Sequence, residues 1–202
     1  MNKNKKDKQM QNKKNVSKRE ASAKQYLDAL QERYSKLCIV RLDLGYKKVE
    51  VSLDEATNDY NHMMNNKRSK PSVFKDQVGQ LCLKEYTPDK GVHYHTVFIY
   101  DGNKVQKGSY KADQIGEYWR QITKEKGSYH NCHRNTYKHN GLGVLDYKDT
   151  EKRKIVDDKV IHYLCKEDEK QDISAIKTNK KDRAFTRGTL PKSKDNMGRP
   201  RG

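Results

Sequence analysis

The stretch from Val78 to Tyr100 reads VGQLCLKEYTPDKGVHYHTVFIY and is the most informative part of the sequence about the fold. Two strand-like runs, residues 78–86 and 92–100, flank the segment TPDKG, whose Pro and Gly suit a tight reversal of the chain. We therefore predict an antiparallel hairpin. Side chains two residues apart on a strand share a face, so His93 and His95 should point the same way, about 7 Å apart at the backbone.

Patterns outside the hairpin predict helices and further strands. Residues 37–44 read LCIVRLDL, an apolar start that becomes alternating, which is typical of a central strand with one end at a polar site. Helices are predicted over residues 21–36, from the Ser52 cap to about residue 68, around residues 115–122 and over residues 152–170, and a short strand over residues 142–147. This mixed order indicates the α+β class, with a sheet whose strands need not all be parallel.

Composition limits the chain to one modest domain with charged ends. The 202 residues carry a formal charge of +17, and hydrophobic residues make up 32% against 35% charged residues. Residues 1–20 carry +6 and residues 177–202 carry +7, which leaves +4 for the remainder. We predict basic disordered tails at residues 1–20 and 193–202 around a domain at residues 21–192, and nucleic acid as the partner.

Several function classes are disfavoured by what the sequence lacks. It has no apolar run near the roughly 20 residues that cross a bilayer and no secretory signal at its start, so we expect a cytoplasmic protein without a membrane partner. It has no GxxxxGK[ST] loop, so no nucleotide cofactor is expected. Four cysteines without a CxxC pair are expected to be free thiols in a reducing compartment.

A candidate metal cluster lies on the predicted hairpin. His93 and His95 share a face, and Glu85 on the neighbouring strand can bring a carboxylate to that face. A His-His-Glu set leaves coordination positions open, as catalytic metal sites do. We therefore predict a catalytic metal site at Glu85, His93 and His95.

A candidate nucleophile lies on the last predicted helix. At about 100° per residue, Tyr163 shares a face with three lysines beside the apolar stripe: Lys159, Lys166 and Lys170. Nearby ammonium groups should lower the pKa of the phenol and favour phenolate, so Tyr163 is predicted to be an activated nucleophile. Tyr137 and Tyr147 are alternatives that rank lower because neither begins a Y-x-x-K pattern.

These elements together resemble the HUH endonucleases, which nick and join single-stranded DNA in rolling-circle replication, conjugation and some transposition. Over residues 35–192 the chain is most similar to the YagK/YfjJ C-terminal-domain family of inovirus-type replication proteins. Four segments in this order carry the resemblance: Arg41-Leu42-Asp43-Leu44, Gly91-Val92-His93-Tyr94-His95, Tyr163-Leu164-Cys165-Lys166 and Arg183-Ala184-Phe185. Tyr94 departs mildly from the aliphatic residue that many HUH proteins have between the two histidines.

The resemblance implies a ferredoxin-like or RRM-like central antiparallel sheet flanked by helices. It also implies that Glu85, His93 and His95 hold a divalent ion at the scissile phosphate of an origin, where Tyr163 attacks and leaves a free 3′-hydroxyl and a 5′-phosphotyrosine. Lys166 would stabilise the phenolate or the transition state. Added carboxylate and phosphate oxygens make Mg²⁺ or Mn²⁺ reasonable where imidazoles alone would admit zinc. A host helicase and polymerase are the expected partners.

Other signals leave alternatives open. The residues expected to contact DNA are Arg41, Asp43, Lys159, Lys170, Arg183, Phe185 and Arg187. Arg41 and Asp43 could equally form a salt bridge, and the last three residues could equally belong to a basic tail. The residues from His130 to His139 could form a structural zinc module. A non-catalytic nucleic-acid-binding protein that retains the fold is the alternative function.

Overall fold

The structure is a computed structural model that describes residues 2–165 and 183–191 of the chain. Its strands are β1 (Lys36–Tyr46), β2 (Gln77–Thr87), β3 (Gly91–Asp101), β4 (Gly127–Asn131), β5 (Gly143–Asp146) and β6 (Phe185–Arg187). Its helices are α1 (Asn2–Arg33), α2 (Leu53–Asn65), α3 (Pro71–Phe74), α4 (Gly108–Ile122), α5 (Thr150–Ile155) and α6 (His162–Cys165). The six strands pair antiparallel in one open sheet flanked by helices, which confirms the predicted α+β class.

The predicted hairpin lies at the centre of this sheet. The strand order is β4-β1-β3-β2-β6, and β5 pairs with the first half of β1 while β4 pairs with its second half. In this register His93 lies opposite Glu85, and His95 lies opposite Asp43 of β1 on its other side. Three adjacent strands therefore bring imidazoles and carboxylates together on one face.

Each face of the sheet buries its own hydrophobic cluster. Alternate β1 side chains such as Val40 and Leu42 face the cluster formed with α2, α3 and α4, where Trp119 is fully buried. Leu37 and Ile39 face the other cluster, which includes α1 residues such as Leu27. Because the period of a strand is two, Arg41 and Asp43 continue the second face, and so do His93 and His95. The polar cluster therefore lies at the end of the second hydrophobic cluster.

The last described helix is continuous but irregular. A π-helical segment, Val156–Ile161, connects α5 to α6, so that residues 150–165 form one helical run. The predicted apolar stripe is buried: Val156, Val160, Ile161, Leu164 and Cys165. Short π segments are frequent at functional sites, and this one directly precedes α6, which carries Tyr163. The sequence pattern predicted the apolar stripe but did not predict the π-helical segment.

The boundaries of several elements differ from the predictions. The Ser52 side chain accepts a hydrogen bond from the Glu55 amide, which confirms the predicted cap of α2. The first helix, predicted over residues 21–36, runs Asn2–Arg33. It ends earlier than predicted because Lys36 already begins β1. Residues 2–20, assigned to a tail, are continuous with this helix, and their mobility in the free protein stays a prediction. The tail predicted at residues 193–202 lies outside the described residues.

No described helix combines the length and apolar character needed to cross a bilayer.

Candidate metal centre

Three side chains converge at the open end of the central strands. The Glu85 Oε2 atom lies 3.0 Å from His95 Nε2 and 3.4 Å from His93 Nε2, and one ligand atom from each residue lies within 4.8 Å of the others. Glu85 and His95 are buried, and His93 is partly exposed. In the part of the chain that the structure describes, this is the single group of three such ligands. The group could bind a metal ion.

The two imidazoles are already oriented for this role. His95 Nδ1 lies 2.7 Å from Asp43 Oδ1, and His93 Nδ1 lies 3.1 Å from the Gly91 carbonyl oxygen. Each Nδ1–H can therefore donate to an oxygen, so that each Nε2, once deprotonated, can act as a ligand beside the shared Glu85 oxygen. A ligating histidine characteristically donates its other ring N–H to a carboxylate or a carbonyl. The residues present therefore fit a bound cation.

The charges at this site are strongly coupled. Burial lowers the pKa of His95, but the hydrogen bonds to Asp43 and Glu85 outweigh burial and raise it to about 9. Burial raises the pKa values of Asp43 and Glu85, but the histidines outweigh it and both pKa values lie below their ordinary range. Without metal, His95 therefore holds a proton near neutral pH between two carboxylates.

The metal-free protein is expected to lose stability as the pH rises. The folded pKa of His95, about 9, lies above its ordinary value of 6.5. Its contribution is therefore fully present below pH 6.5 and is lost as the pH rises through 9. We expect the free energy of unfolding to fall by about 3 kcal/mol across this window, measured by urea unfolding in EDTA. The control is His95→Gln, which should flatten the profile; a flat wild-type profile would contradict the assignment.

Asp43 is expected to support metal binding without being a ligand. Its carboxylate orients His95 through Nδ1, and outer partners of this kind typically contribute 10- to 100-fold, roughly, to metal affinity. We expect Asp43→Asn to weaken Mn²⁺ binding by about that factor in calorimetry. Asp146→Asn is the matched control, because Asp146 pairs with Lys36 at the opposite end of β1. Equal Mn²⁺ affinities for Asp43→Asn and the wild type would contradict this role of Asp43.

Tyr163 lies on the same face of the sheet as the metal cluster. Its ring centroid is 5.6 Å from that of His95, in an edge-to-face arrangement, and the Arg41 guanidinium carbon lies 4.0 Å from the Tyr163 ring centroid. The Tyr163 residue is 45% exposed, so its ring is open to a ligand from solvent. The predicted convergence of a helix-borne phenol with the histidine pair is therefore present.

The electrostatic environment of Tyr163 differs from the prediction. Ammonium groups were expected to lower the pKa of the phenol, but burial raises that pKa and outweighs the opposing effect of Arg41. This expectation was wrong for the metal-free site, because desolvation by burial outweighs the adjacent cation, which is Arg41. Lys159 is exposed. Lys166 and Lys170 lie outside the described residues.

A groove of about 510 Å³ extends from Tyr163 and the histidines along the end of the sheet. Its further lining includes Lys47, Lys90, Ser128, Tyr129 and His130. The sequence pattern does not place Ser128, Tyr129 and His130 at the site, because it indicates no strand over residues 127–131. Strand β4 places His130 opposite Asp43, and the sequence alone contains no signal for that pairing.

The zinc module considered for the residues from His130 to His139 is not formed. Cys132 is buried in the second hydrophobic cluster, and His130 Nε2 lies 2.9 Å from Asn135 Oδ1. His133 is partly buried, where burial lowers its pKa. The residues 130–139, all of them described, contribute no group of three metal ligands. The alternative was wrong because β4 and the adjoining turn separate these side chains.

The remaining residues predicted to contact DNA, Arg183, Phe185 and Arg187, make other contacts in the structure. Arg187 donates from Nε to Ser22 Oγ at 2.8 Å, and its guanidinium lies over the Tyr26 ring. Phe185 is half-buried against the second hydrophobic cluster. Arg183 lines a separate cavity beside α2. Arg187 therefore ties β6 to α1, and a role of these three residues in DNA binding stays a prediction.

Comparisons with known proteins leave the family open. No family model matches the chain, and neither a curated protein nor a solved structure matches it. The resemblance to HUH endonucleases therefore depends on the residues and the geometry of this chain alone.

Proposed function

We propose that this protein is a metal-dependent endonuclease that nicks and rejoins single-stranded DNA through a 5′-phosphotyrosine intermediate. The observation that carries the proposal is the 5.6 Å between the ring centroids of Tyr163 and His95. The Tyr163 phenol and two candidate metal ligands, His93 and His95, line one groove, and Glu85 contacts both histidines. This combination suits phosphoryl transfer better than structural metal binding.

The groove suits a single strand. It is lined by Lys47 and Lys90, whose ammonium groups can pair with phosphates. It also opens directly onto Tyr163. A strand that follows it would bring a phosphate to the phenol.

Tyr163 acts as the nucleophile in the proposed reaction. Its oxygen forms a bond to phosphorus as the bond between phosphorus and O3′ breaks, the phenol loses its proton to water, and O3′ gains one. The products are a free 3′-hydroxyl and a phosphotyrosine that carries the 5′ end. Attack by the 3′-hydroxyl reverses both changes and rejoins the strand, so the exchange needs no nucleotide cofactor.

Glu85, His93 and His95 would hold the cation, for which we propose Mg²⁺ or Mn²⁺. When bound, a divalent cation polarises the phosphate and stabilises the charge that develops during transfer. Asp43 keeps the His95 Nδ1–H engaged, so that Nε2 stays available as a ligand.

The free 3′-hydroxyl defines the biological setting that we propose. It can prime a polymerase, as a rolling-circle origin of a phage, plasmid or integrated element requires. The described part of the chain has no phosphate loop to drive unwinding, so a host helicase and polymerase would complete the process. The protein would act as the replication initiator.

The test is a covalent-adduct assay on labelled single-stranded oligonucleotides that carry the candidate origin. With Mn²⁺ we expect a labelled protein band that resists denaturation, and a released strand that ends in a 3′-hydroxyl. EDTA should abolish both products. If salt-sensitive binding persists unchanged in EDTA and no adduct forms, the alternative applies: a regulator that binds nucleic acid without cleaving it.

A further inference from the structure

Arg41 is a buried cation whose hydrogen-bonding capacity is only partly used. The residue is 9% exposed, and its Nε atom is buried with no hydrogen-bond partner among the residues that the structure describes. Its ion pair with Asp43 is long, at 3.9 Å, and the same Asp43 oxygen lies 2.7 Å from His95 Nδ1. Asp43 is therefore shared between two cations and compensates Arg41 only in part.

A guanidinium in this position is costly unless another group completes its contacts. Arginine carries five N–H donors in a rigid planar fork, and a buried charge requires both a counter-charge and hydrogen bonds. This fork matches phosphate oxygens in particular. The unfilled donor capacity of Arg41 therefore favours an anion that arrives with the substrate.

The position of Arg41 identifies where that anion would lie. The guanidinium carbon is 4.0 Å from the Tyr163 ring centroid, within the range of a stacked cation–π contact. The ring is thus held between Arg41 and the imidazole of His95, whose centroid is 5.6 Å away. A phosphate bonded to the Tyr163 oxygen would lie beside both the guanidinium and the metal cluster.

We infer that Arg41 positions the Tyr163 ring and pairs with the phosphate group that Tyr163 takes. This inference rests on the proposed nicking function for its biological meaning, but the anion pairing can be tested without DNA. Arg41 would then stabilise the phenolate or the transition state, the role that the Y-x-x-K pattern assigned to Lys166. It also explains why an arginine occupies a buried strand position next to a carboxylate that already serves His95.

The first arm of the test measures adduct formation in Arg41→Met and Arg41→Lys at saturating oligonucleotide and Mn²⁺. We expect Arg41→Met to slow the single-turnover rate by about 100-fold or more, as the loss of one preorganised donor does, and Arg41→Lys to recover part of it. Mn²⁺ affinity should be unchanged in both variants, which shows that the cluster is intact. Arg134→Met is the matched control, because Arg134 is an exposed arginine paired with Asp113.

The second arm uses inorganic phosphate as the probe. The protein carries 3-fluorotyrosine at position 163, and its fluorine resonance is followed during titration with phosphate in EDTA, against chloride at equal ionic strength. We expect phosphate to shift the resonance with arginine or lysine at position 41, and not in Arg41→Met. A shift that persists in Arg41→Met overturns the inference.

The two arms separate this inference from the proposed function. If the wild-type protein forms no adduct, the nicking function fails, and the phosphate titration alone decides the role of Arg41. If the wild-type protein forms the adduct and Arg41→Met forms it equally fast, the nicking function stands and the inference is overturned.

Discussion

Replacing Tyr163 with phenylalanine is expected to abolish the covalent adduct between the protein and single-stranded DNA. Phenylalanine retains the ring that contacts Arg41 and His95, so the packing of α6 should be preserved. The change removes the single oxygen that would bond to phosphorus. Without that oxygen no phosphotyrosine can form at this position, so we expect no adduct band in a denaturing gel.

Two further tyrosines are the matched controls for this prediction. Tyr147 is 37% exposed, close to the exposure of Tyr163, and Lys148 lies over its ring. Tyr137 donates its hydroxyl hydrogen to the Cys132 carbonyl oxygen. Tyr147→Phe and Tyr137→Phe should each form the adduct at the wild-type rate. An adduct that survives Tyr163→Phe would show that the nucleophile is another residue.

Glu85→Gln is expected to cause a large loss of metal binding. The Glu85 carboxylate contacts both histidine Nε2 atoms, so it contributes charge and a ligand oxygen at the centre of the group. Glutamine has nearly the same shape but no charge, and its NH₂ group offers no lone pair. Loss of a direct metal ligand should reduce metal affinity more than loss of a group that only orients a ligand. We therefore expect Mn²⁺ affinity to fall by about 100-fold or more in calorimetry. The adduct should also be lost when the metal concentration is limiting.

The control for Glu85→Gln is Glu55→Gln. Glu55 lies in α2 on the other side of the sheet, where it pairs with Lys126. Its substitution should change neither Mn²⁺ affinity nor adduct formation. If Glu85→Gln binds Mn²⁺ as tightly as the wild type, the two histidines hold the ion with other groups and the three-ligand site is refuted.

Local sequence patterns predicted much of the site because they act over a few residues. A strand places alternate side chains on one face, so the H-x-H pattern alone predicts that His93 and His95 lie together. The Pro and Gly between the two runs indicate the hairpin that brings Glu85 opposite His93, as the register confirms. The apolar stripe of the last helix likewise predicted which of its residues are buried.

Long-range pairing decided the contacts that the patterns could not supply. Nothing near Asp43 in the sequence indicates that it lies opposite His95, because the register between β1 and β3 depends on packing along the whole strands. Strand β4 was missed for a related reason. Its residues, GSYHN, have no strong strand pattern of their own, and their pairing with β1 becomes visible only in the assembled sheet.

The amino-acid order by itself determined the α+β class, the central hairpin and the three candidate ligands, since each follows from interactions between residues close in sequence. Only the tertiary structure decided that Arg41 lies against the Tyr163 ring and that burial raises the pKa of the phenol. Both depend on how the helical run at residues 150–165 packs across the sheet, because desolvation and the distance between charges are set by residues far apart along the chain.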